Sequence, residues 1–360
     1  MKILQIDYNL GAGGAERFVV DLCNSFCNQH EVVVCTILDD SNPKNTFHRQ
    51  FLSTKVKYIN LGCKKGLCWK SIKGVINAIK KESPDVVHGH QVSPLLILPS
   101  LLFRNIKFVA TLHNVADKCL SFPFEKLINK VLFRNHKIIP VTISDICYES
   151  YVKLYGLNNA YKVDNGRTLP LKTGQYEYVK HEVETYKKHS DDIVFIHVAR
   201  FCPQKHQNVL INVFNRLYDK HVILLVLGEK FDTTGQYLRD RAKEHIHFLG
   251  AKTNVVDYLL CSDFFCLTSL WEGLPISLLE AVACGIVPIC TPVGGIPNVI
   301  KDGITGYLSK DCEEKSFEEA VTRAISERGK IDKKLLFDEY MKKFSMEECS
   351  SKYYNIYMNG

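Results

Sequence analysis

Short apolar runs alternate with amphipathic segments over the first half of the chain. The apolar runs have the length of β-strands and lie at 2–8, 31–38, 56–60, 85–88, 107–112 and 137–143. Helical spacing of apolar residues recurs around them, at 15–28, 69–82, 93–103, 123–134 and 144–155. Strands that alternate with helices predict a parallel sheet in an α/β layer fold.

A polar stretch rich in Lys and Tyr, at 172–190, separates this series from a second one. The second series has predicted strands at 193–200, 221–228, 245–250 and 263–269, and predicted helices near 207–219, 234–244 and 254–260. The segment ITGYLS and a predicted helix near 315–328 complete it. The pattern therefore predicts two doubly wound domains. We place them at 1–168 and 169–344, with a C-terminal helix at about 345–360 that packs back on the first domain.

The stretch 269–300 predicts a loop, a helix over 276–284, a short strand and a glycine-rich turn. Glu272 lies just before that helix and Glu280 lies one turn into it. A carboxylate accepts two hydroxyl hydrogen bonds at once, and the bare N–H groups of a helix N-terminus suit a phosphate. A sugar nucleotide carries both kinds of group. The alternative is that Glu272 caps the helix and Glu280 is a solvated surface residue.

The segments EGLPISLLEAVACG, VGGIPNVI and DGITGYL of this stretch resemble the C-terminal signature of the retaining glycosyltransferases of family 4. The mark of that family is two glutamates separated by seven residues, here Glu272 and Glu280. The resemblance implies the GT-B fold, in which two Rossmann-like domains face a central cleft. It also implies a set of donor-binding residues: Gly13, Gly14, Gly228, Asn254, Val255, Gly273, Leu274, Pro275 and Glu280.

A second glycine-rich loop, from Gly11 to Glu16, follows the first predicted strand. Glycines at such a place let backbone amides approach a pyrophosphate at a helix N-terminus. Gly11, Gly13 and Asp39 fit a dinucleotide site, but Glu16 stands where the third glycine of that motif belongs. The form Gly-Gly-Ala-Glu instead resembles the first loop of family 4. There Gly14 faces the donor phosphate, and Glu16 is an acceptor-side candidate.

Three histidines are predicted at the carboxyl edge of the first sheet, where open α/β proteins bind ligands. His113 follows the strand 107–112, and its position matches a family histidine that lies near the transferred sugar. His88 and His90 are predicted to follow the strand before it. They either contact the acceptor or are polar loop residues that line the cleft.

Arg200 and Lys205 follow the first strand of the second half, in ARFCPQKHQN. Two cations five residues apart in such a loop can clamp a diphosphate, the arginine as a fork and the lysine as a point charge. In family 4 the matching pair holds the diphosphate and stabilises the leaving group. The resemblance therefore implies four catalytic residues: Arg200, Lys205, Glu272 and His113.

Charge is concentrated in the first half, since residues 1–165 carry a net of +8 and residues 166–360 a net of −1. Two basic segments with aromatic residues, 64–81 and 122–137, are either solvated helix faces or surfaces for anionic lipid headgroups. The 14 cysteines are scattered without metal spacing, which favours reduced thiols in a cytosolic protein. No signal peptide, transmembrane helix or nucleic-acid partner is predicted.

These features and the family resemblance, which implies retention of configuration, together predict a cytosolic, metal-independent glycosyltransferase. Its basic segments are candidates for peripheral membrane binding. It would need no cofactor, and it would move a sugar from a nucleotide donor to a carbohydrate or lipid-linked acceptor. Two alternatives remain open at this point. One is a UDP-sugar 2-epimerase of the same fold, and the other is a nicotinamide-dependent oxidoreductase built on the first glycine-rich loop.

Overall fold

The computed structural model of the 360-residue chain describes residues 1–64, 68–91, 93–122, 124–218 and 220–360. Its described residues form two compact units. Unit 1 comprises Met1–Thr168 and Lys343–Gly360, and unit 2 comprises Leu169–Lys342. Each unit contains its own hydrophobic core. No described helix is both long enough and apolar enough to span a bilayer.

Unit 1 is built on a parallel sheet. Its described strands are β1 (Lys2–Asp7), β2 (Glu31–Leu38), β3 (Lys57–Cys63), β4 (Val86–His90), β5 (Lys107–Leu112), β6 (Ile139–Thr142) and β7 (Tyr161–Lys162). They lie in the order β3-β2-β1-β4-β5-β6-β7, so the direction of winding reverses between β1 and β4. In open α/β sheets, ligands bind beyond the carboxyl ends of the strands at such a reversal.

The helices of unit 1 cover this sheet. They are α1 (Gly14–Phe26), α2 (Trp69–Glu82), α3 (Ser93–Leu102), α4 (Glu125–Arg134) and α5 (Asp145–Tyr155). Helix α5 shows why the ends fall where they do. The Ser144 side chain accepts a hydrogen bond from Cys147 N at its start, and Gly156 ends it in the left-handed conformation, with φ of +64°.

Four positions of the two basic segments lie outside the described residues. They are Lys65, Gly66 and Leu67 of the segment 64–81, and Pro123 of the segment 122–137.

Unit 2 repeats the architecture. Its described elements are α6 (Tyr176–Tyr186), β8 (Ile193–Val198), α7 (Gln207–Arg216), β9 (Val222–Leu227), α8 (Gln236–Arg241), β10 (Ile246–Gly250), α9 (Val255–Leu260), β11 (Phe264–Leu267), α10 (Ile276–Ala283), β12 (Val287–Cys290), α11 (Ile296–Val299), β13 (Tyr307–Leu308), α12 (Glu314–Ser326) and α13 (Lys333–Lys343). The described strands are parallel in the order β10-β9-β8-β11-β12-β13, which reverses between β8 and β11.

The last helix, α14 (Met346–Asn359), belongs to unit 1, where it packs against α1. Ser345 caps it by accepting a hydrogen bond from Glu348 N. Its rings of Tyr353 and Tyr357 are almost completely buried. The C-terminal residues therefore contribute to the interior of the first unit.

The α/β prediction is confirmed by two parallel sheets with interleaved helices, but three helices were not predicted. Helix α6 lies inside the polar stretch that we expected only to separate the halves. Its buried residues are Val179 and Val183, too narrow an apolar stripe to identify among the surrounding polar residues. Helix α11 lies in a glycine-rich turn and α13 lies in a lysine-rich stretch. Neither composition is typical of an amphipathic helix, so the sequence pattern did not predict them.

Candidate functional site

The loops after β8 and β11 meet at the winding reversal of unit 2. Lys205, from the first loop, places its Nζ 2.5 Å from Oε1 of Glu272, from the second. Ser269 Oγ donates to the same carboxylate oxygen at 2.5 Å, and the Glu272 residue is only 5% exposed. Two of the residues predicted to be catalytic are therefore in direct contact.

Close backbone packing by glycines holds these two loops in place. Gly294, with φ of +60°, lies so near the other loop that a Cβ there would be 2.1 Å from the Glu272 carbonyl oxygen. Gly228, with φ of +150°, packs on the first loop, where a Cβ would be 2.0 Å from Ala199 O. Both positions therefore require glycine, because a side chain would collide with backbone.

Arg200 is the cation of this loop that remains available. Its residue is exposed, and among the described residues its guanidinium has no ion-pair partner. The backbone is nevertheless fixed, since Gln207 Nε2 donates to Arg200 O at 2.9 Å. The edge of unit 2 thus carries one cation paired with a carboxylate and one that is free to meet an anion.

The remaining donor-site predictions of unit 2 lie on the same edge, in two places. Gly273, Leu274 and Pro275 are buried and run from Glu272 into α10. Pro275 is the N-cap residue of α10 and has extended backbone, directly before the helix predicted to begin at 276. Glu280 is half-buried, one turn into α10.

Asn254 and Val255 begin α9, and the Asn254 amide serves the protein's own structure. Its Nδ2 donates to Asp257 Oδ2 at 3.1 Å. Asp257, fully buried, also accepts from the backbone and hydroxyl of Thr173. The described contacts therefore leave Asn254 anchored to α9.

In unit 1, Gly13 caps α1 and Gly14 is its first residue. A Cβ on Gly13 would lie 2.1 Å from a carboxylate oxygen of Glu16, so this carboxylate lies against the helix N-terminus. That is the place where a dinucleotide site would hold its pyrophosphate. An anionic ligand there would have to displace Glu16.

His88 and His90 correct a prediction, because they lie inside β4 and not after it. Both are completely buried. His88 contacts Tyr357 Oη at 2.6 Å through Nδ1 and Thr111 Oγ1 at 2.7 Å through Nε2. Since both ring nitrogens are used inside the protein, neither histidine is a loop residue that lines a cleft, and His88 has no nitrogen left for an acceptor.

A chain of hydrogen bonds connects this interior to His113, which does follow β5 as predicted. His113 Nε2 lies 3.0 Å from His90 Nδ1, and His90 Nε2 lies 2.7 Å from Gln5 Oε1. Gln5 Nε2 in turn donates to Tyr357 Oη at 3.2 Å.

The orientation of the Gln5 amide determines the tautomers along this chain. Because Oε1 can only accept, His90 must carry its proton on Nε2 and accept through Nδ1. His113 then donates from Nε2, which leaves its Nδ1 as a lone-pair acceptor. That nitrogen is buried and has no hydrogen-bond partner among the described residues. His113 therefore presents one unused acceptor, which suits a hydroxyl group.

Burial keeps these rings neutral. It holds the pKa of His88 and His90 well below the ordinary value, with further lowering by the neighbouring histidines. Burial likewise lowers the pKa of His113 to about 3. Asp7, at the end of β1, shows the opposite shift, because burial and the nearby Glu16 charge raise its pKa.

Sequence reasoning missed Gln5, Asp7 and the α14 tyrosines as parts of this edge. Asp7 carried one usable signal, since a carboxylate directly at the end of a buried strand is unusual. Gln5 looked like one polar residue in an apolar strand. Tyr353 and Tyr357 carried no signal, because nothing local indicates where α14 packs.

Comparison with known proteins adds two family-model matches to this geometry. A family model described as Glycosyltransferase Family 4 matches residues 12–161. A second, described as Glycosyl transferases group 1, matches residues 180–344. The two matches account for most of both units.

Two curated relatives illustrate the similarity. N-acetyl-alpha-D-glucosaminyl L-malate synthase of Bacillus anthracis is 28% identical over 247 residues, which cover 65% of this chain and 62% of that protein. The UDP-Gal:alpha-D-GlcNAc-diphosphoundecaprenol alpha-1,3-galactosyltransferase of Escherichia coli is 25% identical over 284 residues, 72% of this chain and 71% of that protein.

Among solved structures, HepE of Anabaena in complex with UDP and glucose matches with a TM-score of 0.83. The match covers 100% of both chains at 16% identity. At that identity the likeness concerns the fold alone, and it confirms the predicted GT-B fold.

Proposed function

This chain belongs to glycosyltransferase family 4, and on that premise we propose that it transfers a sugar from a UDP-linked donor, with retention of anomeric configuration. The acceptor is a hydroxyl of a carbohydrate or of a lipid-linked saccharide. Two named proteins support this choice: the relative in Escherichia coli uses UDP-Gal and a diphosphoundecaprenol-linked acceptor, and HepE was solved with UDP and glucose.

The observation that carries the proposal is the contact between Lys205 and Glu272 beside the unpaired Arg200. Transfer of a sugar leaves a nucleoside diphosphate, whose developing charge must be compensated. Preorganised cations do this well because they need no rearrangement during the reaction. Arg200 would take the diphosphate as a fork, and Lys205 would exchange part of its contact with Glu272 for a phosphate oxygen.

The proposed chemistry is a front-face displacement. The bond between the anomeric carbon and the diphosphate oxygen breaks with both electrons on oxygen, and the acceptor oxygen bonds to the same face of the sugar. The acceptor proton passes to the departing phosphate, so no protein nucleophile is required. Because Arg200 and Lys205 supply the positive charge, we propose that activity persists after treatment with EDTA.

Other groups would orient the donor. Glu280 would accept hydrogen bonds from the ribose hydroxyls, since a carboxylate binds two at once. The unused Nδ1 of His113 would accept a hydrogen bond from a hydroxyl of the transferred sugar. Gly14 would let the donor approach the start of α1, with Glu16 then turned toward the acceptor.

An exposed apolar stripe on α4 and on its N-cap residue Phe124 supports a peripheral position at the cytoplasmic membrane face. Phe124, Leu127 and Val131 recur at helical spacing and are 75%, 65% and 50% exposed. Lys126 and Lys130 lie in the same segment. Apolar side chains beside lysines are the pattern that binds an anionic lipid surface.

Vesicle flotation tests the membrane position. Phe124→Ser with Leu127→Ser should reduce binding to anionic vesicles at low salt without unfolding the protein. The matched control replaces two equally exposed apolar residues of unit 2, Leu171 and Tyr178. Equal flotation of both double variants, or no flotation of the wild type, would contradict a membrane-binding role of the α4 stripe.

The function itself is tested by incubating the protein with UDP-sugars and saccharide acceptors. The proposal predicts release of UDP together with a glycoside product whose anomeric configuration, measured by NMR, equals that of the donor. A 2-epimerase would instead alter UDP-N-acetylglucosamine without any acceptor. A nicotinamide-dependent enzyme would show a raised melting temperature with NAD(P). The Glu16 carboxylate at the α1 N-terminus disfavours binding of that pyrophosphate.

A further inference from the structure

A cluster of possible metal ligands lies at the other edge of the unit 2 sheet, away from Arg200 and Lys205. It consists of His189, Asp192 and His221. Asp192 directly precedes β8 and His221 directly precedes β9, and Ile193 N donates to His221 O at 2.8 Å. The two turns are therefore neighbours at the amino ends of paired strands.

The Asp192 carboxylate is held in one orientation. Its Oδ2 accepts backbone hydrogen bonds from Lys188 N at 2.7 Å and His189 N at 3.1 Å, and the residue is 5% exposed. These two donors fix the carboxylate plane and leave Oδ1 to face the histidines. His189 Nδ1 lies 3.4 Å from Oδ1, and His221 Nδ1 lies 3.3 Å from it.

These separations match the edges of a metal coordination shell. Zinc binds histidine nitrogen and carboxylate oxygen at about 2.0–2.2 Å in a tetrahedron, so neighbouring ligand atoms lie about 3.3–3.5 Å apart. One ligand atom from each of the three residues can be chosen so that all lie within 4.8 Å of one another.

His221 reaches the cluster through an unfavourable backbone conformation. His221 adopts a φ of +52°, a left-handed conformation that side chains rarely take. In that conformation its ring lies 4.2 Å, centroid to centroid, from the ring of His189. Both histidines are about half exposed, so an ion from solvent can reach them.

We propose that His189, Asp192 and His221 form a surface site for a divalent transition-metal ion such as zinc. The mixture of imidazole and carboxylate favours zinc, nickel or copper over magnesium or calcium, which prefer oxygen alone. Each imidazole would bind the ion through an unprotonated Nδ1. The ion would join the turns before β8 and β9, independently of transferase activity.

Titration with Co²⁺, followed by visible absorption, tests the site while separating it from the free cysteines. Cobalt bound by nitrogen and oxygen shows d–d bands without the intense charge-transfer band that a thiolate ligand adds. We expect one equivalent to bind to the wild type. Single replacements His189→Ala and His221→Ala should weaken binding at least about tenfold, the scale on which even supporting residues affect metal affinity.

His181→Ala is the matched control, because His181 is an exposed histidine of unit 2 on α6. It should bind Co²⁺ like the wild type. Saturating Zn²⁺ should likewise raise the melting temperature of the wild type and of His181→Ala, but not of the two cluster variants. Equal binding by all four proteins, a thiolate band in the wild type, or no saturable binding would each overturn the proposal.

Discussion

The carboxyl edges of the two sheets share a topology but differ in chemistry. At the edge of unit 2, Lys205 and Glu272 are charged partners and Arg200 is exposed without a partner among the described residues. At the edge of unit 1, buried histidines are neutral and bonded to one another. One edge therefore suits a group that develops negative charge, and the other suits neutral hydroxyls.

The difference arises from what covers each edge. In unit 1 the C-terminal helix α14 places the buried rings of Tyr353 and Tyr357 beside His88. These rings shield the histidines from solvent. Desolvation then disfavours every charged form, which lowers histidine pKa values and raises that of Asp7. In unit 2 the buried Glu272 carboxylate has polar partners, since Lys205 and Ser269 both contact its Oε1.

The largest effect should follow from removing the cations of unit 2. Lys205→Ala and Arg200→Ala should each lower kcat by about a hundredfold or more, the cost of losing one preorganised transition-state contact. Circular dichroism should show both variants folded. Near-normal turnover in either would place the diphosphate contacts elsewhere, for example at the first glycine-rich loop of unit 1.

A smaller effect is expected at the same edge from Glu280→Gln, which keeps size but removes charge. A hydrogen bond to a charged group contributes about 1.5–3 kcal/mol, so donor affinity should fall about ten- to hundredfold. Isothermal titration with the donor nucleotide measures it. Unchanged affinity would remove Glu280 from the site.

In unit 1 the expected effect of Tyr357→Phe is mainly structural. The change leaves Gln5 Nε2 and His88 Nδ1 without a buried partner, which should cost about 1–3 kcal/mol of unfolding free energy. The control is Tyr354→Phe on the same helix, where the ring is partly exposed and stacks on His30. Urea unfolding compares the two, and equal loss would contradict the hydrogen-bonded chain.

The nitrogen chemical shifts of His113 provide a second readout of that chain. The wild type should show the proton on Nε2, the tautomer that Gln5 imposes through His90. Tyr357→Phe should allow the Gln5 amide to turn over and mix the tautomers. A wild-type proton on Nδ1 would refute the assignment.

The buried histidines also predict a pH dependence of the stability of unit 1. The folded pKa values of His88, His90 and His113 lie below the unfolded value of about 6.5. The unfolded chain then binds more protons, so stability is complete above that pH and is lost as the pH falls toward the folded values. Each histidine contributes at most about 1.4 kcal/mol per pH unit.

Asp7 has the opposite sign, because its raised pKa gives stability that is present at low pH and lost as the pH rises. Proteolysis in urea at pH 7.5 and 5.5, with fragments identified by mass, follows each unit separately. The histidines predict a lower urea midpoint for unit 1 at pH 5.5. A midpoint that rises on acidification would mean that Asp7 outweighs them.

Much of the unit 2 edge could be predicted from sequence, because loops after parallel strands necessarily meet at one edge. Lys205 and Glu272 were expected at that edge from local pattern alone, and the structure joins them. The interior of unit 1 could not be predicted in this way. The partners of His88 are Thr111 of β5 and Tyr357 of α14, the second of which lies 269 residues later in the chain. No local sequence pattern reveals where such a helix packs.

The account's central claim is that the edge of unit 2 binds the diphosphate of the donor. Isothermal titration of UDP and of uridine into the wild type and into Arg200→Ala tests it, with Arg239→Ala, an exposed arginine on α8, as the control. The claim predicts that Arg200→Ala weakens UDP about ten- to hundredfold, as loss of a charged hydrogen bond should, and leaves uridine unchanged. Equal UDP affinity in the wild type and Arg200→Ala would contradict it.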